Sequence, residues 1–100
     1  VARTKVAETR DVEPGAGLVV DAGGRTLALF NVGGRFYAID NSCPHRGGPL
    51  GDGRLDDAIV TCPWHGYRYD VTTGAHQRDA AFNVQCFPVT VEGGAVYVDV

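Results

Sequence analysis

The sequence predicts an all-β protein. Three observations carry that expectation: short segments of alternating apolar residues, glycine pairs that separate them, and a density of chain breakers that leaves no room for long helices. Fourteen glycines and five prolines are spread over 100 residues, and the longest stretches free of both are the thirteen residues 1–13 and 75–87. Coiled coils and long helices are excluded on that ground. Residues 9–15 read as a turn or a single helical turn. Residues 18–21 and 25–32 flank Ala22-Gly23-Gly24, and residues 35–40 follow Gly33-Gly34, as in consecutive hairpins whose tight turns need positive φ. Near the end, Val89 and Val91 alternate with Thr90 and Glu92, Gly93-Gly94 turns the chain, and Val96, Val98 and Val100 share one face of a returning strand. Residues 75–84 read as an irregular or weakly helical connection. Residues 41–70 differ in kind, with two cysteines, two histidines, Trp64 and two tyrosines among many glycines. The chemistry is expected there.

Length and charge bound the function further. One hundred residues make a single domain, 1–100, of a size that buries only about two-thirds of its unfolded surface, so a bound metal would add to its stability. Net charge is -3, the pI is near 5.4 and neither Lys nor Arg forms a block, so no nucleic-acid or anionic-lipid partner is expected. The longest uncharged run, residues 80–91, is twelve residues and too short to cross a bilayer as a helix. Three cysteines are an odd count and too few for a disulfide-stapled module, and no apolar leader opens the chain. Reduced thiols and a cytoplasmic location are the expectation. Val1 in place of Met points to a trimmed start.

Cys43-Pro44-His45 is followed by sixteen residues and then Cys62-Pro63-Trp64-His65, so a short Cys/His pair recurs on two loops and four soft or borderline ligands can converge. Glycines follow each pair, Gly47 and Gly48 after the first and Gly66 after the second, where the backbone can approach closely and aim N–H groups at bound sulfur. Pro44 and Pro63 stiffen the ligand loops and lower the entropy cost of arranging them. The same donor atoms suit a closed tetrahedral zinc site, although zinc modules favour Cys-x2-Cys and His-x3–5-His spacing and do not require these glycines.

Cys43-Pro44-His45-Arg46-Gly47 with Leu50, and Cys62-Pro63-Trp64-His65-Gly66, resemble the two cluster-binding loops of Rieske iron-sulfur proteins. The resemblance implies the Rieske fold, an antiparallel sandwich base with a small cluster-binding subdomain of two loops at about residues 41–70. It also implies one 2Fe-2S cluster per chain, with Cys43 and Cys62 on one iron and His45 and His65 on the other. In the family the histidines bind through Nδ1 with their far edges toward solvent. Replacing two thiolates by neutral imidazoles makes an added electron less costly and raises the potential, so one-electron transfer is the job such a site suits.

Departures from the family narrow the subtype. The high-potential Rieske proteins of respiratory and photosynthetic cytochrome complexes carry two further cysteines that clamp the loops as a disulfide, and Gly48 and Trp64 occupy those positions here. Their serine donor to bridging sulfide is replaced by Tyr67, while their tyrosine donor matches Tyr69. The chain thus looks like the low-potential class that serves bacterial oxygenases. Gly47, Gly48, Leu50, Trp64, Gly66 and Tyr69 are expected to surround the cluster, Leu50 with Pro49 packing one loop on the other and Trp64 either shielding the site or filling core. Arg46, Asp52, Asp56 and Asp57 read as solvated charges, His76 as a surface residue and Cys86 as a small apolar filler in or beside a strand.

The resemblance implies a carrier, not an enzyme on its own, that takes electrons from a flavoprotein reductase using NAD(P)H and passes them to a terminal oxygenase of the aromatic ring-hydroxylating type in transient complexes. No small-molecule substrate is expected, and no Gly-rich dinucleotide fingerprint follows a strand. The alternatives are the small subunit of an assimilatory nitrite reductase, a relative of the same fold that often lacks the ligands, and a zinc-stabilised interaction module. A Rieske domain of a full oxygenase would need a mononuclear iron site of His and carboxylate ligands, which these residues do not supply. The expected preparation is red-brown, with two irons and two acid-labile sulfides per chain and a low average g value in the reduced state; a colourless protein with one zinc per chain is the outcome that rejects this reading.

Overall fold

The computed structural model describes residues 3–41, 50–63, 67–77 and 83–99. Strand β1 (Arg3–Glu8) leads through a short 3-10 helix (Thr9–Asp11) to β2 (Gly17–Ala22), β3 (Arg25–Val32) and β4 (Arg35–Asp40). A second 3-10 turn (Leu50–Asp52) precedes β5 (Arg54–Asp56), β6 (Ile59–Thr61), β7 (Arg68–Asp70) and β8 (Ala75–His76). The chain ends with β9 (Cys86–Phe87), β10 (Val89–Glu92) and β11 (Ala95–Asp99). Among the described residues all pairings are antiparallel, in three sheets ordered β1-β11-β10, β2-β3-β4-β9 and β5-β6-β7-β8. The all-β expectation holds.

Three turns set the registers. Ala22 pairs Arg25, Val32 pairs Arg35 and Glu92 pairs Ala95, each across a Gly-Gly loop in which both glycines have positive φ. That is the two-residue hairpin turn whose twist matches the strands it joins. Asn31 then ties a loop to the second of these hairpins, its buried Nδ2 donating to the Val12 carbonyl at 2.8 Å and its Oδ1 accepting from Gly34 N–H at 2.8 Å.

Strand β3 explains the layering. Leu27 and Leu29 point to one side, where Ala38, Phe87, Val20 and Ala22 join Ala7, Val96 and Val98 of the first sheet in one core. Ala28 and Phe30 point to the other, where Ile39 joins Leu50, Val60, Cys62, Tyr69 and Val71 in a second core. The middle sheet is therefore covered on both faces, which is why β3 reads as a continuous apolar run instead of an alternation.

The structure departs from the sequence expectation in three places. Strands β5 to β8 form a small sheet of their own, from strands of two or three residues that leave almost no periodic signal. Ala75–His76 is a strand and not part of an irregular connection, because β7 offers it a free edge. Val91 is 46 % exposed although it shares a face with the core-packed Val89, since it lies toward the hairpin end of an edge strand. Val100 lies outside the described residues.

Asp57 holds the two-residue turn between β5 and β6 at φ 53, the one described non-glycine residue with positive φ. An L residue there meets a Cβ clash of about 1–2 kcal/mol that glycine avoids, less glycine's extra chain entropy of about 0.5–1 kcal/mol. Asp57→Gly is therefore expected to raise the thermal midpoint by a few degrees. Asp57→Val, whose branched side chain fits this region worst, is expected to lower it; the two melting curves check the sign.

Candidate metal centre

Both ligand loops begin and end at necks that the described residues define. At the first, Asn41 follows β4 and its carbonyl accepts from Leu50 N–H at 2.7 Å, while its buried Oδ1 accepts from Gly51 N–H at 2.8 Å. Residues 41 and 50 thus lie side by side. Gly51 has to be small, since an added Cβ would stand 2.6 Å from Val19 Cγ2 and 3.0 Å from Asn41 Oδ1. At the second neck the β6–β7 ladder runs one pair beyond its strands, with Cys62 N–H donating to the Tyr67 carbonyl at 2.7 Å, which brings residues 62 and 67 face to face. The necks adjoin: a Cβ on Gly53 would collide with the Thr61 carbonyl, one residue before Cys62, and would stand 3.1 Å from the Leu50 carbonyl.

Of the residues expected at the site, Cys62, Leu50 and Tyr69 come together in the second core, Cys62 1 % exposed and the other two fully buried. Cys43, His45, His65, Gly47, Gly48, Trp64 and Gly66 lie outside the described residues. A thiol buried in one core with Val60, Leu50 and Tyr69, where the second ligand segment departs, fits one cysteine corner of an iron-sulfur cluster, since sulfur is the soft donor iron takes and the apolar surroundings exclude competing water. Among the described residues no three His, Cys, Asp or Glu side chains converge, so neither His76 nor Cys86 builds a second centre there.

His76 corrects the sequence reading. Instead of standing on the surface it is half-buried, with Nε2 covered and its ring edge-on to Tyr67 at 4.9 Å and Tyr69 at 5.1 Å. Its position in a two-residue edge strand directly opposite Tyr69 gave no pattern to read. Asn41 and Gly51 were also missed; the available signal was a polar residue closing an apolar strand at the point where the ligand segment departs. Cys86 lies in β9 against the second core, as expected of a filler, with its thiol 3.6 Å from the Thr72 carbonyl.

Burial pushes the Cys86 thiol pKa up, the Asp70 carboxylate adds to the rise, and a hydrogen bond from Phe87 N–H partly opposes it. A raised pKa keeps the thiol protonated to higher pH, so its alkylation at pH 8 is expected to be slower than that of a free thiol and to keep climbing above pH 9. Asp70→Asn should speed it at pH 8. The difference in iodoacetamide uptake between the wild type and Cys86→Ser isolates this one thiol.

The comparisons with known proteins agree with this geometry. The family model described as the Rieske [2Fe-2S] domain matches residues 2–88. A 3-phenylpropionate/cinnamic acid dioxygenase ferredoxin subunit of Shigella flexneri is 42 % identical over 91 residues, spanning 89 % of this chain and 85 % of the relative. Among solved structures, the ferredoxin of carbazole 1,9a-dioxygenase from Nocardioides aromaticivorans superposes with TM-score 0.91 at 29 % identity, covering 98 % of this chain and 97 % of the other. The match in a complex of reduced oxygenase and oxidized ferredoxin of carbazole 1,9a-dioxygenase has TM-score 0.87 at 35 % identity, over 96 % and 91 % of the two chains. A family model that matches both necks, and a superposition that runs through all three sheets, leave one reading: the chain belongs to the Rieske [2Fe-2S] domain family.

Proposed function

We propose that this protein is a one-electron carrier, taking electrons from an NAD(P)H-dependent flavoprotein reductase and delivering them to a terminal oxygenase of the aromatic ring-hydroxylating type. The observation that carries the proposal is the pair of adjoining necks, with the Cys62 thiol buried at the second, flanking the two segments of the sequence in which the Cys/His pairs stand. Cys43, His45, Cys62 and His65 would hold one 2Fe-2S cluster per chain, which supplies a single electron at a time when bound. The chain's own residues supply the setting. Leu50 and Val60 exclude water, and Tyr69, buried in the same core as Cys62, would donate a hydrogen bond to a cysteine sulfur. Such a donor stabilises the more negative reduced state.

The relatives favour this reading over the nitrite-reductase and zinc alternatives, since those reported above are ferredoxin components of dioxygenases and the match to a nitrite reductase small subunit, at 22 % identity, speaks for the fold alone. We take residues 1–100 as one domain with its cluster-binding part at about 41–70, acting in the cytoplasm, where thiols stay reduced. Among the described residues no helix is long and apolar enough to cross a membrane.

The test is reconstitution. With NADH alone the protein is expected to stay oxidised, and with NADH and a flavoprotein reductase its visible spectrum should bleach and a low-g reduced-state EPR signal should appear. Addition of a ring-hydroxylating oxygenase with its substrate should then reoxidise it. Rapid direct reduction by NADH, or reduction with no onward transfer to any such oxygenase, is the result that rejects the carrier.

A further inference from the structure

One row of side chains crosses the inner face of the third sheet. Continuing the β6–β7 register places Cys62 opposite Tyr67, Val60 is opposite Tyr69, and Tyr69 is in turn opposite His76. Residues that face each other across a ladder share a side, and alternate residues of one strand do too, so Cys62, Tyr67, Tyr69 and His76 belong to the same face. Tyr67 and Tyr69 lie between the thiol strand and His76. The imidazole is perpendicular to both phenol rings, at 89° to each, with centroids 4.9 Å and 5.1 Å away. It touches both rings at once, in the edge-on geometry that aromatic pairs prefer.

The backbone holds the imidazole there with unusual care for so short a strand. His76 N–H donates to Asn83 Oδ1 at 2.8 Å and Gln77 N–H to the Arg68 carbonyl at 2.9 Å. The turn that leads into β8 is locked by the Asp70 side chain, which accepts from Thr72 N–H at 2.9 Å and Thr72 Oγ1 at 2.6 Å, and by Gly74 N–H donating to the Asp70 carbonyl at 2.6 Å. Gly74, at φ 81, lies against the Val84 carbonyl, where a Cβ would collide. The wedge is therefore fixed from both sides of the turn.

We propose that His76 is a positioning residue for the redox centre, wedging the rings of Tyr67 and Tyr69 toward the strand of Cys62 and so fixing the phenol of Tyr69. The proposal rests on the reading above, in which Cys62 is a cluster ligand and Tyr69 a donor to cysteine sulfur. Hydrogen bonds weaken steeply with misalignment, so a phenol ring free to tilt would lose much of its contribution to the reduced state. The role is one of shape: a flat ring edge-on to two others, which another flat ring can supply and an aliphatic side chain cannot.

The test measures the reduced-to-oxidised ratio at a fixed electrode poise by visible spectroelectrochemistry, with iron, sulfide and EPR g values determined on the same samples. His76→Ala is expected to keep two irons, two sulfides and unchanged g values while lowering the ratio about threefold, on the scale where ~59 mV is tenfold for one electron. His76→Phe should restore the ratio to that of the wild type. In a Tyr69→Phe background His76→Ala should change nothing further, because the Tyr69 hydroxyl whose placement matters is already gone. Should His76→Ala not fold, His76→Leu and His76→Phe make the same comparison, the first lowering the ratio and the second keeping it. An unchanged ratio in a cluster-loaded His76 variant, the same shift with and without the Tyr69 hydroxyl, or failure of His76→Phe to rescue would each overturn the proposal while leaving the ligand assignment standing. A wild-type protein without two irons and two sulfides would overturn the ligand assignment, and this proposal with it.

Discussion

The burial of β3 on both faces is the constraint from which the rest of the molecule follows. Four consecutive side chains, Leu27, Ala28, Leu29 and Phe30, are fully buried, yet they serve two different cores. Each large one removed from water is worth about 1.5–3 kcal/mol, and a one-residue slip of the strand would exchange the two sets. The base could not be repacked without moving Phe30 and Ala28, which are the floor of the site. The Gly-Gly hairpins on either side of β3 prevent that slip by fixing its register to β2 and β4.

The third sheet depends on that floor. Its strands are two or three residues long, and a sheet of that size is marginal by itself in water. It gains its stability by laying Val60, Tyr69 and Val71 on Phe30 and Ile39, and the Leu50 turn closes one side. The dependence runs from base to site: the middle sheet supplies the floor, Asn41 after β4 closes the first neck, and Cys62 is buried in the core that this floor and Leu50 share. A metal that joins both necks would return part of its binding free energy as folding free energy of this weakest layer.

What was legible in the sequence divides along the same line. Where the chain makes long paired strands, the signals are local and strong: glycine pairs with positive φ, and alternation in β10 and β11 that puts Val96 and Val98 inside. The proposed ligand set rests on another kind of signal, the resemblance of Cys-Pro-His and Cys-Pro-Trp-His to the two Rieske loops, since donor type by itself also suits zinc. The small sheet was not legible, because two or three residues cannot display a period and because its strands are held by tertiary contact with Phe30 and Ile39, not by their own propensity. His76 was misread for that reason. A histidine after a Thr-Thr-Gly-Ala turn looks solvated until the register of β7 against β8 sets it opposite a buried tyrosine.

Charge is partitioned between the two ends of this design. Among the described residues the ion pairs are confined to the base, where Arg3 meets Glu92 at 3.2 Å and Glu8 meets both Lys5 and Arg10. All are exposed, and such pairs contribute little, so the fold rests on packing and backbone hydrogen bonds. On the layer that carries the necks, Asp52, Arg54, Asp56, Asp57 and Arg68 are exposed and take part in no ion pair with a described residue. Charges held in this way cost the fold almost nothing, and they are free to act over a Debye length on whatever approaches. For the electron carrier proposed above, which would meet two partners in turn and leave both, that arrangement favours fast, salt-sensitive encounter over tight binding, because exposed rim charges raise association rates far more than they slow dissociation.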